Sequence, residues 1–118
     1  MAAPVLRFDF TEEAERLRGE KPWLHHGRNA VTLVKYGDFR VVLLLLKAGT
    51  KMQEHQVIGR ISLQTLSGHV RMQLEEQTID LPAGHLLALE RELVHDVEAC
   101  EDSAVLLTIA WPGEVMGG

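Results

Sequence analysis

Two neighbouring stretches, residues 60–67 and 69–75, switch side chain by side chain between apolar and polar. In the first, Ile61, Leu63 and Thr65 share one face while Arg60, Ser62 and Gln64 share the other. In the second, Val70, Met72 and Leu74 oppose His69, Arg71, Gln73 and Glu75, and Ser67-Gly68 makes the turn between the two. A period of two belongs to half-buried strands and cannot be satisfied by a helix. Further β-rich runs cover residues 30–35, 39–47, 52–57, 78–81, 86–89, 95–99 and 103–111, separated by turn residues such as Gly37-Asp38, Ala48-Gly49 and Pro82-Ala83-Gly84. Short strands with turn signals about eight to twelve residues apart predict an all-β sandwich or barrel.

The first 27 residues lack this rhythm. Thr11 is placed to cap a short helix, Glu12 and Glu13 suit its first turn, Gly19 ends it, and Pro22 reads as a stop. So short a helix is not stable alone, and it is expected to pack on the barrel. The chain divides into an N-terminal segment, residues 1–27, and a β-barrel domain, residues 28–118. Residues 40–46 and 104–109 are apolar on both faces, whereas one face of an antiparallel sheet usually meets water. The second face needs a cover, and the expected covers are the N-terminal segment and a second copy in a homodimer.

Charge and composition remove several function classes. With 46% hydrophobic and 25% charged residues, the 118-residue chain is globular and can bury a core of its own. A net charge of −5 without a basic patch argues against nucleic acid as a partner, and no Lys/Arg run suits an anionic membrane. The longest apolar run, residues 41–46, is far too short to span a bilayer. Cys100 is the single cysteine, so no internal disulfide forms, and Arg7 and Asp9 interrupt the apolar residues of the N-terminus. These features lead to the expectation of a cytoplasmic protein. There is no phosphate loop, no dinucleotide fingerprint, no nucleophile elbow and no His-Glu-x-x-His pair.

From Gly49 the spacing resembles the cupin family. The first family motif runs Gly, five residues, His-x-His, a Glu, then a Gly six residues beyond. Here Gly49 leads to His55, Val57 takes the place of the second His, Ile61 takes the place of the Glu, and Gly68 closes the motif. The second motif is matched by Gly84, by Glu90 and Glu92 where Pro and Gly are usual, and by His95. The resemblance covers residues 40–112. It implies a double-stranded β-helix, an RmlC-like jelly-roll barrel of two antiparallel sheets, with a short N-terminal helical segment.

In a metal-bearing cupin, three imidazoles and one carboxylate converge inside the barrel. Only His55 and His95 persist here, and Val57 and Ile61 have no lone pair to give. The resemblance therefore implies at most a weakly bound divalent transition metal on His55 and His95. Gln53, on the face of His55 by simple alternation, is the nearest further donor. His25-His26, His69 and His85 read as surface residues, and the turn carboxylates as solvated. The leading expectation is a small-molecule binding module whose pocket is lined by Gln53, His55, Val57, Ile61, Leu63, Met72 and His95. Two alternatives stay open: a metal-dependent enzyme of dioxygenase or isomerase type using His55 and His95, and a regulatory scaffold.

Overall fold

Among the described residues, the alternation becomes nine antiparallel strands behind two short helices. The computed structural model describes residues 5–55, 58–91, 93 and 95–111, with residues 53–55 described by their backbone. The order is α1 (Phe10–Arg18), α2 (Lys21–His26), β1 (Arg28–Lys35), β2 (Phe39–Leu46), β3 (Lys51–His55), β4 (Arg60–Ser67), β5 (His69–Gln73), β6 (Thr78–Pro82), β7 (Leu86–Leu89), β8 (His95–Ala99) and β9 (Ser103–Ala110). One sheet has the order β1-β2-β9-β4-β7 and the other β3-β8-β5-β6. After β2 the chain crosses repeatedly between the sheets, which is the winding of a jelly roll.

The two sheets meet over one aliphatic interior. Leu44, Leu46, Ile61, Leu63, Leu89, Val105 and Ile109 from the five-stranded sheet pack with Val70, Met72, Leu81, Val97 and Ala99 from the four-stranded one. β4, β5 and β8 each alternate between buried and more exposed positions, so the period of two is read directly by the core. Thr65, the polar member of the inner row of β4, is fully buried and donates its hydroxyl to the Leu81 carbonyl at 2.9 Å. Its place in the core is thus consistent with the rule that buried polar groups are partnered.

The second apolar face of β2 and β9 is covered by the helices. Ala14 and Leu17 of α1 and Trp23 of α2 pack on Leu43, Leu45 and Ala104, with Val31, Leu33 and Leu66 at the margin. Lys47 reaches over the Trp23 ring, 5.2 Å from its centroid. Two local expectations need correction. Asp9 caps α1, its carboxylate accepting from the Thr11 and Glu12 amides at 2.9 and 3.2 Å, so Thr11 lies inside the helix. Pro22 does not stop the helical segment; it sits in the first turn of α2, where a missing amide N–H costs nothing. Gly27 then ends α2 in the left-handed region at φ 75, its amide donating to Trp23 O at 3.1 Å.

Gly68, the closing glycine of the first motif, is fixed by two constraints. Its φ is 84, and a Cβ there would overlap the Asp102 carbonyl oxygen and lie 2.8 Å from Ser103 Cα. At this junction the Ser103 hydroxyl accepts from His69 N at 3.0 Å and donates to Glu101 O at 2.7 Å. No helix among the described residues is long and apolar enough to cross a membrane.

Leu17 is 1% exposed and joins α1 to the sheet. Leu17→Ala is expected to lower stability by about 2–4 kcal/mol in urea unfolding followed by circular dichroism. A loss under about 0.5 kcal/mol, the level of an ordinary surface change, would mean that α1 contributes little to the fold.

Candidate functional site

The inner rows of the barrel are set by strand register. Ile61 on β4 stands opposite Leu89 on β7 and Ile109 on β9, and Ile109 in turn stands opposite Arg40 on β2. Arg40 is in phase with Val42, Leu44 and Leu46, which face the shared interior, and not with Leu43 and Leu45, which face the helices. A guanidinium therefore stands in this row between the Leu, Ile and Ile of β7, β4 and β9 and the exposed Lys35 of β1. Its carbon lies 5.0 Å from the centroid of the Trp111 ring, and Trp111 packs against the interior cluster. Arg40 Nε is buried and has no hydrogen-bond partner among the described residues. Sequence reasoning passed over Arg40 because it begins a run of apolar residues; counting back by twos from Leu46 would have placed it inside.

His95 begins β8 and is 7% exposed, on the inward face with Val97 and Ala99. Its Nδ1 lies 3.1 Å from Leu93 O. A carbonyl only accepts, so in the neutral ring Nδ1 carries the proton and Nε2 is the acceptor nitrogen. His55 on β3 is the register partner of His95, so the two histidines kept from the motifs stand opposite each other on paired strands. The register slips between Met52 and His55, and simple alternation across that slip does not fix the face of Gln53. Ile61, Leu63 and Met72 are 5%, 2% and 0% exposed, and all three belong to the interior cluster. Val57 lies outside the described residues, as do the side chains of Gln53 and His55.

The other histidines and the turn carboxylate Glu90 lie on the surface. His25, His26 and His85 are exposed, and Glu90 pairs with Arg60 at 3.1 Å on the surface. An open cleft of ≈ 460 Å³, lined by Pro22, His26, Arg28, Thr50 and Lys51, lies beside α2 and shares no residue with the interior row. On the outer face of the four-stranded sheet, Asp80 accepts from Arg71 Nε at 3.1 Å and stands 3.2 Å from His69 Nε2. Arg71 first, and His69 second, hold the Asp80 carboxyl below the usual carboxylate range.

The architecture has close counterparts. A cupin superfamily protein from Desulfitobacterium hafniense DCB-2 superposes with a TM-score of 0.71 at 16% identity, over 74% of this chain and 80% of its own. An RmlC-like cupin from Desulfovibrio desulfuricans superposes with a TM-score of 0.65 at 22% identity, over 92% of each chain. The fold is the cupin fold. A variant of salicylate 1,2-dioxygenase from Pseudoaminobacter salicylatoxidans shares the cupin barrel too, with a TM-score of 0.72 at 17% identity over 88% of this chain, which spans 34% of that one. No family model matches the sequence, and no curated protein does. On the cupin frame, Gly49, Gly68 and Gly84 all keep a positive φ, so the motif glycines persist for backbone reasons. Ile61, at the motif's carboxylate position, is instead an aliphatic member of the interior row.

A buried donor left unpaired, such as Nε of the half-buried Arg40, lowers stability. Arg40→Met keeps the apolar stem and removes that donor, and it is expected to raise stability by about 1 kcal/mol in urea unfolding. A marked loss would show that the guanidinium is satisfied in solution. Asp80, exposed, is expected to titrate below the ordinary aspartate range in carboxyl-detected NMR, and Arg71→Gln should move it upward. Because its folded-state pKa is depressed, its contribution is present above the unfolded pKa and fades as pH falls through the folded one.

Proposed function

We propose that this protein is a cupin-fold binding module whose barrel interior takes a small organic anion, a carboxylate attached to an apolar body, without a resident metal. Arg40 is the charged anchor and His95 the second polar contact. Ile61, Leu63, Met72 and Ile109 supply the apolar wall. The observation that carries this reading is the buried Arg40 Nε without a partner among the described residues, beside the aliphatic row of Ile109, Ile61 and Leu89. A guanidinium nitrogen buried without a partner is costly unless something anionic meets it, and the group's planar fork suits a carboxylate. An apolar cavity with one or two converging polar groups is the common makeup of a small-molecule site.

The donor set does not fit a metal centre of the family type. The motif's carboxylate position is Ile61 and one imidazole position is Val57, and neither side chain has a lone pair. Two imidazoles leave a divalent ion short of the three protein ligands typical of a catalytic site. The second reading, a metal-dependent enzyme of dioxygenase or isomerase type on His55 and His95, rests on the opposed register of those two residues. A dioxygenase among the solved structures of the same fold keeps that reading open to test.

Calorimetry with a panel of small aliphatic and aromatic carboxylates, each beside its neutral amide, is the deciding experiment. At least one acid is expected to bind saturably and its amide to bind about tenfold more weakly or worse. Arg40→Met should lose about 1.5–3 kcal/mol of that affinity, although it folds at least as well as the wild type. Equal binding of acids and amides, or affinity unchanged in Arg40→Met, would overturn the anion reading. Near-stoichiometric metal in wild-type protein, lost in both His55→Ala and His95→Ala, would replace it with the enzyme reading.

A further inference from the structure

The outer face of the four-stranded sheet carries a cluster unconnected with the barrel interior. On β5, His69 and Arg71 alternate with the buried Val70 and Met72 and so face outward. On β6, Asp80 is the register partner of Arg71, and on β8, Glu98 is the register partner of Arg71 from the other side. Cys100 follows β8, and its amide donates to His69 O at 2.8 Å, which places it one rung beyond the Val70–Ala99 pair. Two strand positions and the residue just past the end of β8 thus bring one imidazole, one carboxylate and one thiol together, with ligand-capable atoms of His69, Asp80 and Cys100 all within 4.8 Å of one another.

We propose that His69, Asp80 and Cys100 form a binding site for a zinc-class divalent cation, with a fourth position open to water. The chemistry of the donors selects the ion class. Thiolate and imidazole favour zinc and its neighbours over magnesium or calcium, and three mixed N, O and S ligands plus water is the pattern of an open tetrahedral site. Bond lengths of about 2.0–2.3 Å put tetrahedral ligands roughly 3.3–3.7 Å apart. His69 Nε2 and Asp80 Oδ1 already stand 3.2 Å apart, and the thiol needs only a short side-chain rotation to join them.

The surroundings suit that assignment. Cys100 is the protein's one cysteine and is exposed, so its sulfur is open to an ion from solvent. The His69 backbone is fixed on both sides, its amide donating to Ser103 Oγ at 3.0 Å and its carbonyl accepting from Cys100 N. Arg71 Nε donates to Asp80 Oδ1 at 3.1 Å, the same oxygen that faces His69 Nε2, and so fixes the direction of the carboxylate, leaving its second oxygen available to an ion. The Cys100 thiolate, Asp80 and Glu98 together balance Arg71 and a divalent ion, so the assembled site is neutral. Binding displaces the thiol proton to solvent and shifts the imidazole proton to Nδ1, freeing Nε2 for the metal.

Cobalt titration into metal-free protein reads the site directly, because a thiolate on cobalt gives a charge-transfer absorption that other ligands do not. The wild type is expected to develop this band to a 1:1 end point, to release about one proton per ion, and to lose the band when zinc is added. Cys100→Ser should abolish the band, and His69→Gln and Asp80→Asn should each weaken binding about tenfold or more. All three replace exposed or half-exposed groups, so circular dichroism should stay that of the wild type. His95→Ala, in the barrel interior, should leave the titration unchanged. Absence of the band in the wild type, or a band that survives both Cys100→Ser and His69→Gln, would overturn the proposal. So would a titration lost in His95→Ala with these three residues intact, which would move the ion into the barrel.

Discussion

The burial of two inner sheet faces against each other is the interaction on which the rest of the molecule depends. Met72 and Val70 from one sheet and Leu46, Leu63 and Val105 from the other have almost no exposed surface, and none could be buried by its own sheet alone. Burying side chains of this size contributes about 1.5–3 kcal/mol each. Because the period of a strand is two, this demand also sets what points the other way. The outward rows inherit the polar residues of each strand, and the His69, Arg71, Asp80 and Cys100 cluster exists because its neighbours in sequence are needed inside. A one-residue slip of β5 would bury Arg71 and expose Met72, which the core does not tolerate.

Much of the fold was legible because local and long-range demands agree. Residues 60–67 and 69–73 alternate in sequence and in burial alike, and Gly68 marks a turn that only glycine can make. Where readings failed, two local signals competed. Asp9 and Thr11 are both good capping residues, and the winner is decided by which amides the chain leaves free. Pro22 is both a breaker and a favoured first-turn residue, so without the structure α2 merges into a stop signal.

The site divides in the same way. The spacing of Gly49, His55, Gly84 and His95 located the paired strands β3 and β8, because turn and strand lengths are properties of the chain itself. Arg40 was hidden because a single charge at the head of a six-residue apolar run looks like its solvated end. Only the register through Ile109 to Ile61 shows that it shares a row with the motif's carboxylate position. The His69, Asp80 and Cys100 cluster was hidden for a different reason. Its members come from β5, β6 and the bend after β8, and no spacing in one sequence announces a meeting set by sheet order.

β9 lies between β2 and β4 in the five-stranded sheet, yet it comes last in sequence among the described strands. Until it arrives, β2 and β4 have no contact through hydrogen bonds, and each presents an unpaired edge of Val, Leu and Ile. Such edges invite pairing with other chains. The sheet therefore closes by its most distant pairing in sequence, the kind of topology that folds slowly and leaves sticky intermediates exposed for longer. Hydrogen-bonded closure of the sheet thus waits on β9, and a chain that stops short of it leaves two apolar edges open.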